Sequence, residues 1–213
     1  MRNHYFLFIS INSGGKRLEF EELVAIVRKE FENIKDGGKL LITVGCKHVL
    51  KTNLLLLQFL LNEKKLNGLY ICVDIPQQHV EKLLKKYQIK SDKLRYIDAI
   101  TGLSTLDKEF ADNIVFIDNP FNVKLINEAI RKVQADGVKR FIILDNMATL
   151  QFYSTEISKF FKFFIKSLRE FNLSYLMLAV DKTRHKETYD IIRPFCDGEL
   201  EIKREWVELM EGI

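Results

Sequence analysis

GGKLLITVGCKHVLKTNLLLLQFL, residues 37–60, decides the fold. Lys39 to Val44 is apolar on successive positions, as a strand buried on both faces of a parallel sheet reads. Gly45 to Leu50 interrupt that run, and from Lys51 to Leu61 the leucines continue long enough for a helix. Upstream, residues 4–11 read as a short strand closed by Gly14-Gly15. Phe20, Leu23, Val24, Val27, Phe31 and Ile34 then share one helical stripe that ends near Gly37-Gly38. Downstream, strands are expected at 68–74, 94–99, 113–118, 139–145 and 174–181. Helices are expected at 77–88, with Pro76 in the first turn, at 123–135, and at 154–171, where Ser154 caps and Glu156 favours the first turn. Segments 199–202 and 206–210 form a terminal β-hairpin. Apolar strands alternating with helices predict one α/β domain, a mainly parallel sheet with helices on both faces.

The chain has 213 residues, 47% hydrophobic and 29% charged, with 3 Pro and 10 Gly. That is a globular composition with enough apolar content for a sizeable core, and it excludes collagen, disorder and linker arrays. A net charge of +4 does not diagnose a nucleic acid or an anionic membrane. Cys46, Cys72 and Cys196 are odd in number and widely spaced, which predicts neither a disulfide framework nor a thiolate zinc site and makes a reducing cytoplasm the default. The greasy run at 54–61 is too short for a membrane crossing, which needs about 20 residues.

In open α/β sheets ligands sit beyond the carboxyl ends of the strands. Gly45-Cys46-Lys47-His48-Val49-Leu50-Lys51-Thr52 occupies such a position. Its spacing is that of the phosphate-binding loop G-x-x-x-x-G-K-[ST], with Leu50 where the second glycine belongs. In an intact loop backbone N–H groups wrap the phosphates, the lysine counters their charge and the hydroxyl holds magnesium. Lys51 and Thr52 keep those chemistries. Asp145, closing the apolar strand KRFIILD, is placed to hold magnesium through water.

From Ile34 to about Lys203 the chain resembles the single-domain archaeal relatives of KaiC in the RecA/RadA superfamily. Residues 37–60 resemble that family's strand, GxxGxGKT loop and LxxQFL helix without a gap. LYICVDIP, LRYIDA, KRFIILDNMATL and FCDGELEI resemble four later strands, the third being the Walker-B strand. The resemblance implies a RecA-like domain over residues 34–213, with residues 1–33 as an N-terminal strand and helix extension. It also implies departures. Two loop glycines of the family correspond to His48 and Leu50, and a left-handed backbone costs a residue with a Cβ roughly 1–2 kcal/mol, so the loop is expected to follow a different path. Where the family carries paired glutamates that polarise water, this chain has Asp74 and Ile75. The family's late Lys-x-Arg has only loose counterparts in Lys203-Arg204 and Lys182-x-Arg184.

The expectation is therefore a catalytically degenerate KaiC/RecA-like protein, with a degenerate Walker A motif, little or no ATP hydrolysis and a regulatory or scaffolding role. Gly45, Lys51 and Thr52 are the remnant nucleotide loop and Asp74 the remaining candidate base. Asp145 and Thr52 are magnesium ligands only if a nucleotide binds. No cofactor is expected on this reading, and a protein partner or self-association is. The alternative is a nucleotide-binding ATPase with an unusual loop, using ATP and magnesium. A nucleic-acid binder ranks third, resting on Lys82, Lys85, Lys86, Lys90, Lys93 and Arg95, which read more simply as a solvated helix face. Phe160, Phe161, Phe163, Phe164, Leu168 and Phe171 read first as core and second as a self-association stripe.

Overall fold

Among the described residues, seven parallel strands form one sheet in the order β4-β3-β2-β5-β6-β1-β7. The computed structural model describes residues 20–101, 112–120, 122–153 and 157–202. The strands are β1 (Gly38–Thr43), β2 (Asn67–Cys72), β3 (Leu94–Asp98), β4 (Ile114–Phe116), β5 (Arg140–Leu144), β6 (Leu173–Val180) and β7 (Gly198–Glu201). Alternate strand residues feed two separate cores, because successive side chains on a strand point to opposite faces. Leu40, Ile42, Tyr70, Cys72, Phe141, Ile143, Met177 and Ala179 belong to one. Leu41, Leu69, Ile71, Ile142, Leu144, Leu176 and Leu178 belong to the other.

Helices cover both cores. On the first face lie α1 (Phe20–Phe31), α2 (Val49–Leu57) with the π-helical turn Gln58–Glu63 that prolongs it, and α3 (Gln77–Lys86). On the second lie α4 (Val123–Val133), α6 (Ile157–Ser167) and α7 (Lys186–Ile192), with α5 (Met147–Tyr153) contributing Met147 and Leu150. The expected α/β architecture is thus the observed one. α1 shares the first core through Val24, Val27 and Phe31, whose ring lies 5.0 Å from Phe59 and 5.2 Å from Tyr175. The strand expected at 4–11 lies outside the described residues.

Several boundaries differ from the sequence reading. The helix expected from Lys51 begins earlier, since Cys46–His48 form a 3-10 turn that runs straight into α2. The helix expected at 154–171 is α6, followed by a 3-10 turn at Leu168–Glu170; Ser154 and Glu156, its expected cap and first-turn acid, lie outside the described residues. Helices α5 and α7, each of 7 residues, fall in segments to which the sequence reading gave no element. Of the terminal hairpin, the first strand is β7, paired parallel to β1, and segment 206–210 lies outside the described residues. The aromatic stripe of α6 is mostly core: Phe160, Phe161 and Phe164 are buried, while Phe163 is exposed.

Gly68 shows how tightly side chains of neighbouring strands are packed. Leu94 and Phe141 stand opposite it on the two neighbouring strands. A methyl group at Gly68 would collide with Phe141 Cζ and lie 2.7 Å from Leu94 Cδ1. Overpacking of this kind costs about 1–3 kcal/mol. Gly68→Ala should therefore lower the free energy of unfolding read from a urea titration by that amount, and a variant as stable as the parent would show that the Phe141 ring has room to move.

Candidate functional site

The candidate loop leaves the sheet just after β1. Val44 N–H donates to Val180 O at 3.0 Å and His48 N–H to Gly45 O at 2.8 Å, closing the short turn. Gly45 has φ −62° and ψ 140°, ordinary extended backbone, and Val49 is already helical at φ −54° and ψ −49°. Among the described residues, positive φ occurs at Gly37, Gly137, Lys65 and Gln88, so none of residues 45–52 adopts it. Where the resemblance places two further loop glycines, His48 closes the 3-10 turn and Leu50 sits inside α2.

Lys51 is half-buried on the first turn of α2. Thr52 is 1% exposed, and its Oγ1 is buried without a hydrogen-bond partner. The next residue makes the link to the rest of the site: Asn53 Nδ2 donates to the carbonyl oxygen of Asp145 at 2.9 Å and to the Tyr70 hydroxyl at 3.1 Å. This carries the start of α2 to the ends of β2 and β5, across the intervening β6.

Asp145 itself is 1% exposed. Its Oδ1 accepts Val73 N–H at 3.0 Å, and its Oδ2 accepts Asp74 N–H and Ile75 N–H, both at 3.2 Å. The carboxylate thus organises the turn between β2 and α3. The reverse contact is made from that turn: Asp74 Oδ1 accepts the Thr149 hydroxyl at 2.7 Å and Asp74 Oδ2 accepts Asn146 Nδ2 at 2.9 Å. The two acids form a reciprocal clasp, each gripping the segment that carries the other. Asp98 and Asp181 treat their own edges the same way. Asp98 accepts Gln77 N–H at 2.9 Å and Thr101 N–H at 2.8 Å, and Asp181 accepts Thr183 and Arg184 N–H, both at 3.0 Å.

The remaining sequence candidates are dispersed. Lys182 donates to Glu201 at 2.7 Å, Arg184 is exposed, and Lys203 and Arg204 lie outside the described residues. Lys82, Lys85, Lys86, Lys90 and Lys93 are solvent-exposed, with Leu84 buried beneath them. Among the described residues no three His, Cys, Asp or Glu side chains gather as a metal site. Asn53, Asn146 and Thr149 were not picked out from the sequence; an amide beside Lys51-Thr52 and another directly after Asp145 were the signals available.

Three solved structures of similar fold come from Pyrococcus horikoshii. An uncharacterised protein crystallised with an unknown peptide is 12% identical, with TM-score 0.66, over 87% of this chain and 84% of that one. A second protein, known by its structural study, is 13% identical with TM-score 0.55 over 83% and 87% of the two chains. A KaiC-like protein is 16% identical with TM-score 0.55, over 80% of this chain and 74% of that one. The chain has a KaiC-like fold. No family model and no curated protein matches the sequence. No helix among the described residues is long and apolar enough to cross a membrane.

Burial pushes the Asp145 carboxyl up to about 7, against the downward pull of the three amides that it accepts; the nearby Asp74 adds to the rise. An unfolded aspartate titrates near 4. Between about pH 4 and pH 7 the folded chain therefore holds a proton that the unfolded chain has released, and stability declines as pH rises through that window. Asp145→Asn should remove this slope, so that urea midpoints taken near pH 5 and pH 8 converge in the variant and differ in the parent. A second expectation concerns Gly45, whose φ is negative and where an added Cβ meets its nearest neighbour, His48 Cδ2, at an ordinary 3.6 Å. Gly45→Ala should change stability by less than about 1 kcal/mol, and a larger loss would mean that the loop needs glycine after all.

Proposed function

We propose that this chain is a catalytically degenerate KaiC/RecA-like protein that acts as a regulatory or scaffolding partner of other proteins, with little or no ATP hydrolysis. The observation that carries the reading is the reciprocal clasp: both carboxylates that an ATPase of this fold would need, Asp145 and Asp74, are committed to hydrogen bonds across the β2 and β5 ends. Magnesium at Asp145 would have to compete with three amide donors, and a water-activating role for Asp74 with the Thr149 hydroxyl and Asn146 amide. The loop adds to this. A phosphate-binding loop offers several N–H groups to one anion, whereas the His48 N–H is spent within the turn on Gly45. The residues as arranged do not fit an Mg-nucleotide. On this reading Gly45, Lys51 and Thr52 are inherited parts of the frame. Support for a protein-directed role comes from the Pyrococcus horikoshii relative of the same fold that was crystallised with a peptide.

One observation favours the alternative of a nucleotide-binding protein with an unusual loop: the buried Thr52 hydroxyl, which has no partner and stands where the loop motif uses a hydroxyl for magnesium. Thermal unfolding with and without Mg-ATP separates the two. A ligand at one hundred times its dissociation constant stabilises by about 2.7 kcal/mol, which for a chain of this size is a rise of roughly 5–11 °C in Tm. The scaffold reading expects a flat response, and a rise of that size abolished by Lys51→Ala would replace it with the nucleotide-binding one.

A further inference from the structure

Helix α6 differs from the other surface helices in how it meets solvent. Its sequence, ISKFFKFFIKS, contains three lysines and no acid. Lys159, Lys162 and Lys166 all face outward, with Arg169 exposed in the turn that follows. On a helix, residues three and four apart are neighbours, so Lys162 has a like charge on either side of it along the axis, an arrangement that disfavours the isolated helix. Elsewhere on this face acids and bases pair. Lys186 and Asp190 pair on α7 at 2.5 Å, and Arg131 of α4 pairs with Glu170 at 3.0 Å.

In the middle of the basic stripe stands Phe163, 64% exposed and the one exposed large hydrophobic side chain among the described residues. It is not surplus core, since Phe160, Phe161, Phe164 and Ile165 already fill the inward side of the helix. An apolar ring bordered by cations has the elements of a contact patch, a hydrophobic centre beside a charged rim. We propose that the outer face of α6 docks an acidic peptide segment of a partner protein, which places one apolar side chain on Phe163 and carboxylates against Lys162 and Lys166.

Two other anionic partners match less of the surface. A membrane contact needs several apolar side chains to insert, and a single phenylalanine supplies too little buried area. Single-stranded nucleic acid is held by successive aromatic platforms, of which this face has one. The charge and the ring together favour a protein segment whose acids flank an apolar residue over two or three helical turns. The inference rests on the protein-partner reading above but uses none of the residues of the candidate loop, so the two can fail separately.

The test uses the full chain and a fluorescein-labelled synthetic peptide of about sixteen residues, helix-forming, with glutamates flanking a central leucine. Binding is read by anisotropy, with oligo(U) of twenty nucleotides and phosphatidylserine vesicles as competing probes. Phe163→Ala, which leaves net charge unchanged, should weaken peptide binding at least tenfold. Lys162→Glu with Lys166→Glu should do the same and should instead bind a peptide carrying lysine in place of glutamate. Lys82→Glu with Lys86→Glu on α3, which alters net charge equally, should bind as the parent does. All of these positions are exposed, and a thermal melt of each variant verifies folding. Peptide binding that is indifferent to Phe163→Ala, that falls equally in the α3 variant, or that is surpassed by oligo(U) or vesicles would overturn the proposal. A failure here alongside a flat Mg-ATP response would remove this surface and leave the scaffold reading standing.

Discussion

Three amide N–H groups converge on one buried carboxylate, and the carboxyl edge of the sheet is arranged around that meeting. Val73, Asp74 and Ile75 turn the chain from β2 into α3, and their amides would be left without partners if Asp145 were absent. A buried donor without a partner costs roughly 1–3 kcal/mol, so the turn and the acid specify each other. Asn53 extends the same centre to α2 through the Asp145 carbonyl. In this way one residue joins two strands and the helix after the candidate loop.

The same device recurs at Asp98 and Asp181, where the carboxylates accept backbone N–H groups from the loops beside them. An edge built so is satisfied from within. In a working nucleotide site the donors and acceptors at strand ends are held in readiness for a ligand, and the ligand completes them. Here much of the hydrogen-bonding capacity at β2, β3, β5 and β6 is already matched by the chain. The likeness to a KaiC-like structure is one of fold, the frame of strands and helices.

Much of this fold was legible before any coordinates. Buried parallel strands such as KRFIILD read as unbroken apolar runs, and Gly37-Gly38, Gly45 and Pro76 punctuate them. The acid at the end of KRFIILD was also legible as a strand-end residue. Its partner was not, because the groups it accepts are backbone amides, which every non-proline residue carries and no pattern marks. The Asp74 contacts with Asn146 and Thr149 join positions more than seventy residues apart, and nothing local announces them. Helices α5 and α7 escaped because each is only two turns long, too short for periodicity to rise above composition. The aromatic run of α6 gave its core residues but not the odd one out, since helical spacing identifies a face and the neighbours decide how wide the buried part of it is.

The position of β1 between β6 and β7 has a temporal meaning. Residues 67–144 contain β2, β3, β4 and β5, which pair only with one another and with β6, so that half of the sheet can form as soon as its own residues have left the ribosome. β1 is made earlier yet has no neighbour until residues 173–201 appear. Its apolar strand must wait for them, and contacts this distant in sequence are slow to close. The nascent chain is therefore most exposed to aggregation before residues 173–201 have emerged.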